Sequence, residues 1–373
     1  NDLNSNFKPL PFSFDRASSA TVVNKAGLIE TVGSGEPRID YKDDSKGALK
    51  LEPSRTNSVP YSQEFSNSDW NKNSSGIDTS IGNNGINENI AISPDGTLNA
   101  DRVNFLLQSD LDVGIGKSIS SSSGTTWSAS VWIKGEGSNI GKNIGFRLKR
   151  SSGGSYVGND GTIELTSEWV RIEINPLTLI ANNNGVRLIL SSNDATSCLI
   201  YGAQIEQGSY ATSIIPTSGG VVTRVQDSCT NGGNEQVFNG SDGAIFLNFA
   251  SYGDYVISLD NAAATNRIQF FRTTTNDRIY IMIGGTFIIN EVYRGTSNGV
   301  YNKYALSYES GNILLYVNGL LLRTYTTPFT STPFTKFRLN QYDNNASVSL
   351  SLIDSKIYNT ALTDQELINL TTI

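Results

Sequence analysis

The tightest constraint on this 373-residue chain is a two-residue turn. Ile313-Leu314-Leu315-Tyr316-Val317 runs into Asn318-Gly319 and out again into Leu320-Leu321-Leu322. Asn-Gly between apolar runs specifies a hairpin, because both turn residues must take positive φ and these two types do so at least cost. A second hairpin is expected at Gly284-Gly285, between residues 278–283 and 286–289. Elsewhere the apolar period is two. Trp127, Ala129, Val131 and Ile133 fall on one face of a strand, with Ser128, Ser130 and Trp132 on the other; Val170, Ile172 and Ile174 alternate with Arg171 and Glu173. Helical signal is confined to the C-terminus, where Thr363-Asp364-Gln365-Glu366 is a capping box ahead of Leu367, Ile368 and Leu370. The expected fold is all-β: an extended N-terminal arm, two β-sandwich (jelly-roll) domains and one short C-terminal helix.

Domain boundaries follow from where the prolines and tryptophans lie. Residues 1–60 hold Pro9, Pro11, Pro37, Pro53 and Pro60, half of the 10 prolines, and read as an arm that needs another surface for support. All 4 tryptophans, Trp70, Trp127, Trp132 and Trp169, lie in 61–217, whereas 218–373 carries Tyr and Phe instead, so two differently packed cores are expected. Ile214-Ile215-Pro216-Thr217-Ser218-Gly219-Gly220 reads as the linker.

Composition then removes whole classes of chemistry. The chain has no histidine, which excludes a Ser-His-Asp triad, a histidine base and any His-ligated metal within it. With 2 cysteines, four-cysteine zinc and all-cysteine iron–sulfur sites go as well. Cys198 and Cys229 read either as buried free thiols or as a single disulfide. A net charge of −7 argues against nucleic acid as a partner. No stretch approaches the roughly 20 apolar residues of a membrane helix, so no membrane insertion is expected. No signal peptide is visible; the chain starts at Asn1 with its one methionine at 282, which reads as a processed chain or a fragment.

What survives is carboxylate chemistry, oxygen-ligated calcium and stacking on aromatic rings. Glycoside hydrolysis needs two carboxyls roughly 5–10 Å apart across the scissile bond. Glu164 and Glu168 flank a turn before Trp169 and offer no such pair, so no catalytic residue is assigned. Asp40, Asp43 and Asp44 cluster beside Lys42 and Lys46 but lack the glycine and distal Glu of an EF-hand, and Asp194, Asp242 and Asp277 stand alone in polar loops. No cofactor and no metal ligand is therefore named, and a structural calcium stays open. Gly114, Gly116, Lys117 and Ser118 mimic a phosphate loop without its leading glycine. The candidate glycan contacts are Trp132, on the polar side of its strand, and Tyr342 with Asp343 in the loop Tyr342-Asp343-Asn344-Asn345. Against these stand the plainer readings, a Trp packed against a sheet or a neighbouring subunit and an ordinary hairpin tip.

Several motifs occur together in one order: Phe14-Asp15-Arg16, Pro37-Arg38-Ile39-Asp40-Tyr41, Leu51-Glu52-Pro53-Ser54-Arg55-Thr56-Asn57, Tyr61-Ser62-Gln63-Glu64-Phe65 with Trp70, and Gly202-Ala203-Gln204-Ile205-Glu206 leading to Ala211-Thr212-Ser213-Ile214-Ile215-Pro216-Thr217. This block, residues 12–224, resembles the N-terminal block of bacteriophage fibre and head-spike proteins. Its middle part, with the Ser93-Pro94-Asp95-Gly96 turn, is similar to carbohydrate-binding jelly rolls, many of which hold a calcium through an acid in the last strand; Ile200-Tyr201-Gly202-Ala203-Gln204 has none. Residues 225–373 resemble concanavalin A-like (laminin-G-like) sandwiches, through residues 304–319 and the closing Tyr358-Asn359-Thr360-Ala361-Leu362. The resemblance implies a non-enzymatic virion protein on the outer surface of head or tail. It implies a homotrimer, tied by residues 1–60 to other virion proteins, with residues 61–217 and 218–373 facing outward to a cell-surface glycan. The other readings are a polysaccharide-degrading enzyme and a bacterial adhesin.

Overall fold

The computed structural model describes residues 12–373, apart from 153–154, 182–184, 234–236, 262, 264, 274, 296–298, 331–332 and 340–348. Among the described residues the fold is all-β, with one α-helix, Asp364–Thr371, at its end. The strands form two compact units. The middle sandwich comprises Ala20–Thr31 and Arg55–Arg224; the C-terminal sandwich comprises Val225–Ile373, Val32–Ser54 and residues up to Ser19. The residues read as one arm divide between them. Ser13–Asp15 pairs with Ser228–Thr230, and Arg38–Asp40 and Ala48–Leu51 extend a sheet of the C-terminal sandwich. Ala20–Val23 and Arg55–Asn57 belong to the middle one, where Arg55–Asn57 pairs with Val222–Arg224. Ile214 and Ile215, in the stretch read as linker, are buried in the same sandwich.

The middle sandwich stacks two five-stranded antiparallel sheets. One runs Ser155–Glu164, Asn143–Ser152, Gly185–Ser191, Ile115–Ser120, Asn71–Lys72; the other runs Val170–Thr178, Thr126–Lys134, Ser197–Gln207, Leu98–Asn104, Ile86–Ile92. Trp127, Ala129, Val131 and Ile133 enter the core, as the period of two requires, alongside Trp70 and Phe146. The glycines at 114 and 116 serve the ladder: a Cβ on Gly114 would lie 2.0 Å from the Leu190 carbonyl oxygen.

One glycine sets the chemistry of that sheet's outer face. Along Ser197–Gln207 the core residues are Cys198 and Ile200, then Ala203 and Ile205. The change of phase occurs at a bulge: Trp132 lies opposite Tyr201, but Ser130 lies opposite Gln204. Gly202 absorbs the extra residue at φ +63°, and a Cβ there would meet Ile214 Cδ1 at 2.3 Å. Because a one-residue slip exchanges the two faces of a strand, the bulge turns Gln204 and Glu206 outward.

The C-terminal sandwich stacks a seven-stranded sheet on a five-stranded one. The larger is ordered Leu320–Tyr325, Asn312–Val317, Asn302–Glu309, Asp242–Tyr252, Ser349–Tyr358, Ala48–Leu51, Arg38–Asp40; the smaller, Thr286–Gly295, Asn276–Ile283, Arg267–Arg272, Tyr255–Asp260, Lys336–Arg338. Both expected hairpins form. Asn318 and Gly319 take φ of 50° and 82°, and Gly284 and Gly285 take 58° and 81°, the paired positive values that match strand twist. Thr363 and Glu366 close the capping box, and the helix seats Leu367 against Phe246, Ala305 and Tyr316 on the outside of the larger sheet. Cys229 is buried here and Cys198 in the middle sandwich; neither is in a disulfide, and burial pushes each thiol up to about 12.

Candidate functional site

Most of the polar residues in the ordered motifs are fasteners. In the C-terminal sandwich Arg16, Arg38, Glu52 and Asp227 form a cluster with no more than 2% of any of them exposed. Arg16 Nη1 donates to Asp227 Oδ1 at 2.9 Å and Arg38 Nη1 to Glu52 Oε2 at 2.7 Å, while Arg38 Nη2 also donates to Asp227. The Glu52 amide donates to Asp227 Oδ2 at 2.8 Å. Two guanidinium groups face two carboxylates, so the buried charge sums to zero.

In the middle sandwich the same motifs build a hydrogen-bond network round one carboxylate, Glu206, with Arg55 Nε 3.9 Å from it and Arg224 Nη1 donating to the Thr212 hydroxyl at 3.2 Å. Asn57, fully buried, donates to the carbonyls of Ala203 and Ile215 and accepts from the amide of Val59. The outward-turned Glu206 accepts from Gln204 Nε2, the Thr212 amide and the Thr212 hydroxyl, each at 2.7 Å. Gln204 Oε1 accepts from the Ile215 amide at 2.7 Å. The segment through residues 208–217 is thereby pinned over the sheet. The Ser93-Pro94-Asp95-Gly96 turn is pinned likewise: the Tyr201 hydroxyl donates to Asp95 Oδ2 at 2.9 Å and accepts from Gln63 Nε2 at 2.7 Å. Burial works against the Asp95 charge, but hydrogen bonds from Thr97, Asn99 and Ser93 hold its carboxyl down at about 2.

Trp132 lies on the outer face of this sheet, opposite in sense to Trp127 in the core, and is half-buried beside Gly202, with its indole N–H enclosed and unbonded. Tyr342 and Asp343 lie outside the described residues. The acidic residues weighed for calcium are engaged elsewhere. Asp40 pairs with Lys50 at 3.0 Å, Asp194 accepts from the Asn143 amide, Asp242 accepts from the Asn239 side chain, and Asp277 accepts from the Tyr304 hydroxyl. Among the described residues no three carboxylates or thiols gather as a metal group would require. One cage of oxygens does exist. The carbonyls of Phe65, Ser66, Asn67 and Trp70 converge at 3.2, 2.9, 2.8 and 3.3 Å on the ammonium of Lys72.

A surface with binding geometry is on the C-terminal sandwich; Trp132, in the middle sandwich, is not part of it. It is the outer face of the five-stranded sheet. The registers align three rows across it: Lys336, Asp260, Arg267, Met282 and Phe287; then Arg338, Ser258, Gln269, Tyr280 and Asn290; then Val256, Phe271, Arg278 and Val292. The intervening Ile257, Leu259, Ile268, Phe270, Ile279 and Ile281 fill the core. Three rings step diagonally over three strands. Phe271 lies 5.8 Å from Tyr280, and Tyr280 lies 5.5 Å from Phe287, centroid to centroid. Arg278 sits over the Tyr280 ring at 5.4 Å and Arg267 over Phe287 at 5.7 Å. Phe271 and Tyr280 are half-buried, while Phe287 and Val292 are 44% and 43% exposed. Cross-strand ring pairs of this kind stabilise a sheet by less than about 1 kcal/mol each, whereas leaving a phenylalanine this exposed forgoes part of the roughly 1.5–3 kcal/mol its burial supplies. Sequence offered a partial signal: alternation puts Arg267, Gln269 and Phe271 together, and Arg278, Tyr280 and Met282 together.

No family model matches the sequence, and no curated protein matches it. Solved structures with similar strand arrangement include the binding domain of botulinum neurotoxin DC in complex with SialylT. It is 12% identical, with 39% of each chain covered and a TM-score of 0.31, so the match spans well under two thirds of the toxin fragment. A Ruminococcus gnavus IT-sialidase CBM40 bound to α2,3-sialyllactose is 16% identical over 38% of this chain and 93% of its own, at 0.32. Domain 4 of a GH43 extracellular arabinanase from Geobacillus stearothermophilus, in complex with arabinotriose, is 14% identical over 41% of this chain and 77% of its own, at 0.31. At these identities and scores none of them bears on what this chain binds.

Proposed function

We propose that the chain is a non-enzymatic structural subunit of a bacteriophage virion, on the outer surface of head or tail, that presents a glycan-binding face. The observation that carries the binding half is the diagonal of Phe271, Tyr280 and Phe287 on a partly exposed sheet face. Apolar ring faces take the C–H-rich faces of sugars, and the flanking, exposed Asn290 amide suits hydroxyl groups. The virion half rests on the ordered motifs of residues 12–224. Their buried arginines, acids and amides hold chain segments together, as a protein built to last outside a cell requires. The segment 1–60, whose strands help build both sandwiches, also attaches the protein to neighbouring virion proteins, and the assembly is a homotrimer.

Binding of the full chain to an array of oligosaccharides tests the face. Tyr280→Ala and Phe287→Ala are expected to weaken the strongest signals at least about tenfold while leaving thermal unfolding in place. Signals that both variants leave intact would move the site elsewhere. Release of reducing ends from a bound polysaccharide would restore the enzyme reading. A stable monomer in sedimentation at micromolar concentration would remove the trimer, and antibody labelling of virions separates head from tail.

A further inference from the structure

We infer that the ligand of this face is an acidic polysaccharide, one carrying carboxylates or sulfates along its length. The inference rests on the glycan-binding reading above and adds the charge of the ligand. The chain as a whole carries −7, yet the three rows place Lys336, Arg267 and Arg278, all partly exposed, on one face with a single carboxylate, Asp260, which is buried together with Arg338. That carboxylate is already held by Arg338 at 3.1 Å and by the Ser258 hydroxyl at 2.9 Å. A positive patch on an acidic chain attracts anions and repels the chain's own kind.

The two arginines are placed for recognition. Each lies over a ring of the diagonal, Arg278 on Tyr280 and Arg267 on Phe287, so the aromatic face limits the conformations it must lose on binding. A guanidinium presents a planar fork that matches a carboxylate or sulfate with two parallel hydrogen bonds. Arg267 lies opposite Met282, four residues along the strand from Arg278. At about 3.3 Å per residue, that separates the two by about 13 Å along the strand direction. This separation fits successive acidic units of a polymer better than one monosaccharide. A neutral glycan would use the rings and leave the cations idle.

The test compares polygalacturonate, its fully methyl-esterified form and chondroitin sulfate, titrated calorimetrically into the full chain. Polygalacturonate or chondroitin sulfate is expected to bind, and the ester at least about tenfold more weakly. Affinity for the acid polymer should fall about tenfold between about 0.05 and about 0.5 M salt. Arg267→Gln and Arg278→Gln together should reduce the acid polymer to the level of the ester without shifting the unfolding temperature, and the two Arg→Lys changes should restore part of the loss. If the ester binds as tightly as the acid and Tyr280→Ala abolishes both, the face is a neutral-sugar platform; the inference fails while the glycan-binding reading stands. If neither acid polymer binds, the inference is overturned. If, in addition, the chain self-associates through this face in a way that Phe287→Ala reverses, the glycan-binding reading falls with it.

Discussion

The two sandwiches solve the same problem, fixing long irregular segments to a sheet, with different chemistry. The C-terminal sandwich uses ions: Arg16, Arg38, Glu52 and Asp227 bury four charges that cancel. The middle sandwich relies mainly on amides and hydroxyls, with Asn57, Gln204 and Thr212 bonded to main chain and to Glu206, and with Arg55 and Arg224 at its margin. An ion cluster fails abruptly, because deleting one member strands its partners in a dry site. A network spread over many hydrogen bonds fails in steps, one bond at a time. The fastening of the two units should therefore be separable by mutation, and the tryptophans supply the means. All four lie in the middle sandwich, so their emission reports that unit.

The largest effect is expected from Asp227→Ala, which leaves Arg16 and Arg38 facing each other without the carboxylate they share. The C-terminal sandwich should lose about 3–5 kcal/mol, seen as an early calorimetric transition that the tryptophan signal does not follow. If the tryptophan midpoint drops equally, the contrast between the units breaks.

Next comes a pH response of the middle sandwich. Asp101 is 2% exposed, and burial raises its carboxyl to about 6, against the pull of the Asn89 and Phe65 amides and with the push of Glu88 and Glu64. A raised carboxyl means that the folded state holds the proton more tightly than the unfolded one. Stability is therefore gained as the pH falls from above about 6 towards about 4, by up to about 3 kcal/mol. Denaturant midpoints from tryptophan emission at pH 7 and 5 check it, and Asp101→Asn should flatten the difference.

Glu206→Ala should cost the same unit about 2 kcal/mol, since it strands the Thr212 amide and hydroxyl and the Gln204 side chain. A loss as large as that from Asp227→Ala would erase the distinction between the two units. The smallest change expected is Gly319→Ala, about 1 kcal/mol, from forcing a Cβ onto φ +82° in the hairpin of the C-terminal sandwich.

What could be read from sequence was local. The Asn318-Gly319 and Gly284-Gly285 hairpins, the Thr126–Lys134 strand and the Thr363 cap each depend on residues a few positions apart, and each is where the pattern put it. What could not be read depends on register. Nothing near Gly202 announces that it is a bulge, so the outward turn of Gln204 and Glu206 stayed hidden. Arg16 and Asp227 are 211 residues apart, and their union follows from strand pairing alone. The ring diagonal lies between these cases. Alternation gives the face of Phe271 and of Tyr280, but only the register across three strands sets Phe287 beside them.

The four carbonyls that close on Lys72 have a consequence of their own. A loop organised round a dissolved cation is governed by mass action: it tightens or loosens with the concentration of that ion and yields to any stronger chelator. Here the cation is joined to the loop by its own polypeptide, so its effective concentration is fixed by the length of a lysine side chain and does not change on dilution. The turn from Phe65 to Trp70 is therefore buffered against the ionic composition of whatever surrounds it, a property built from one residue and four main-chain oxygens.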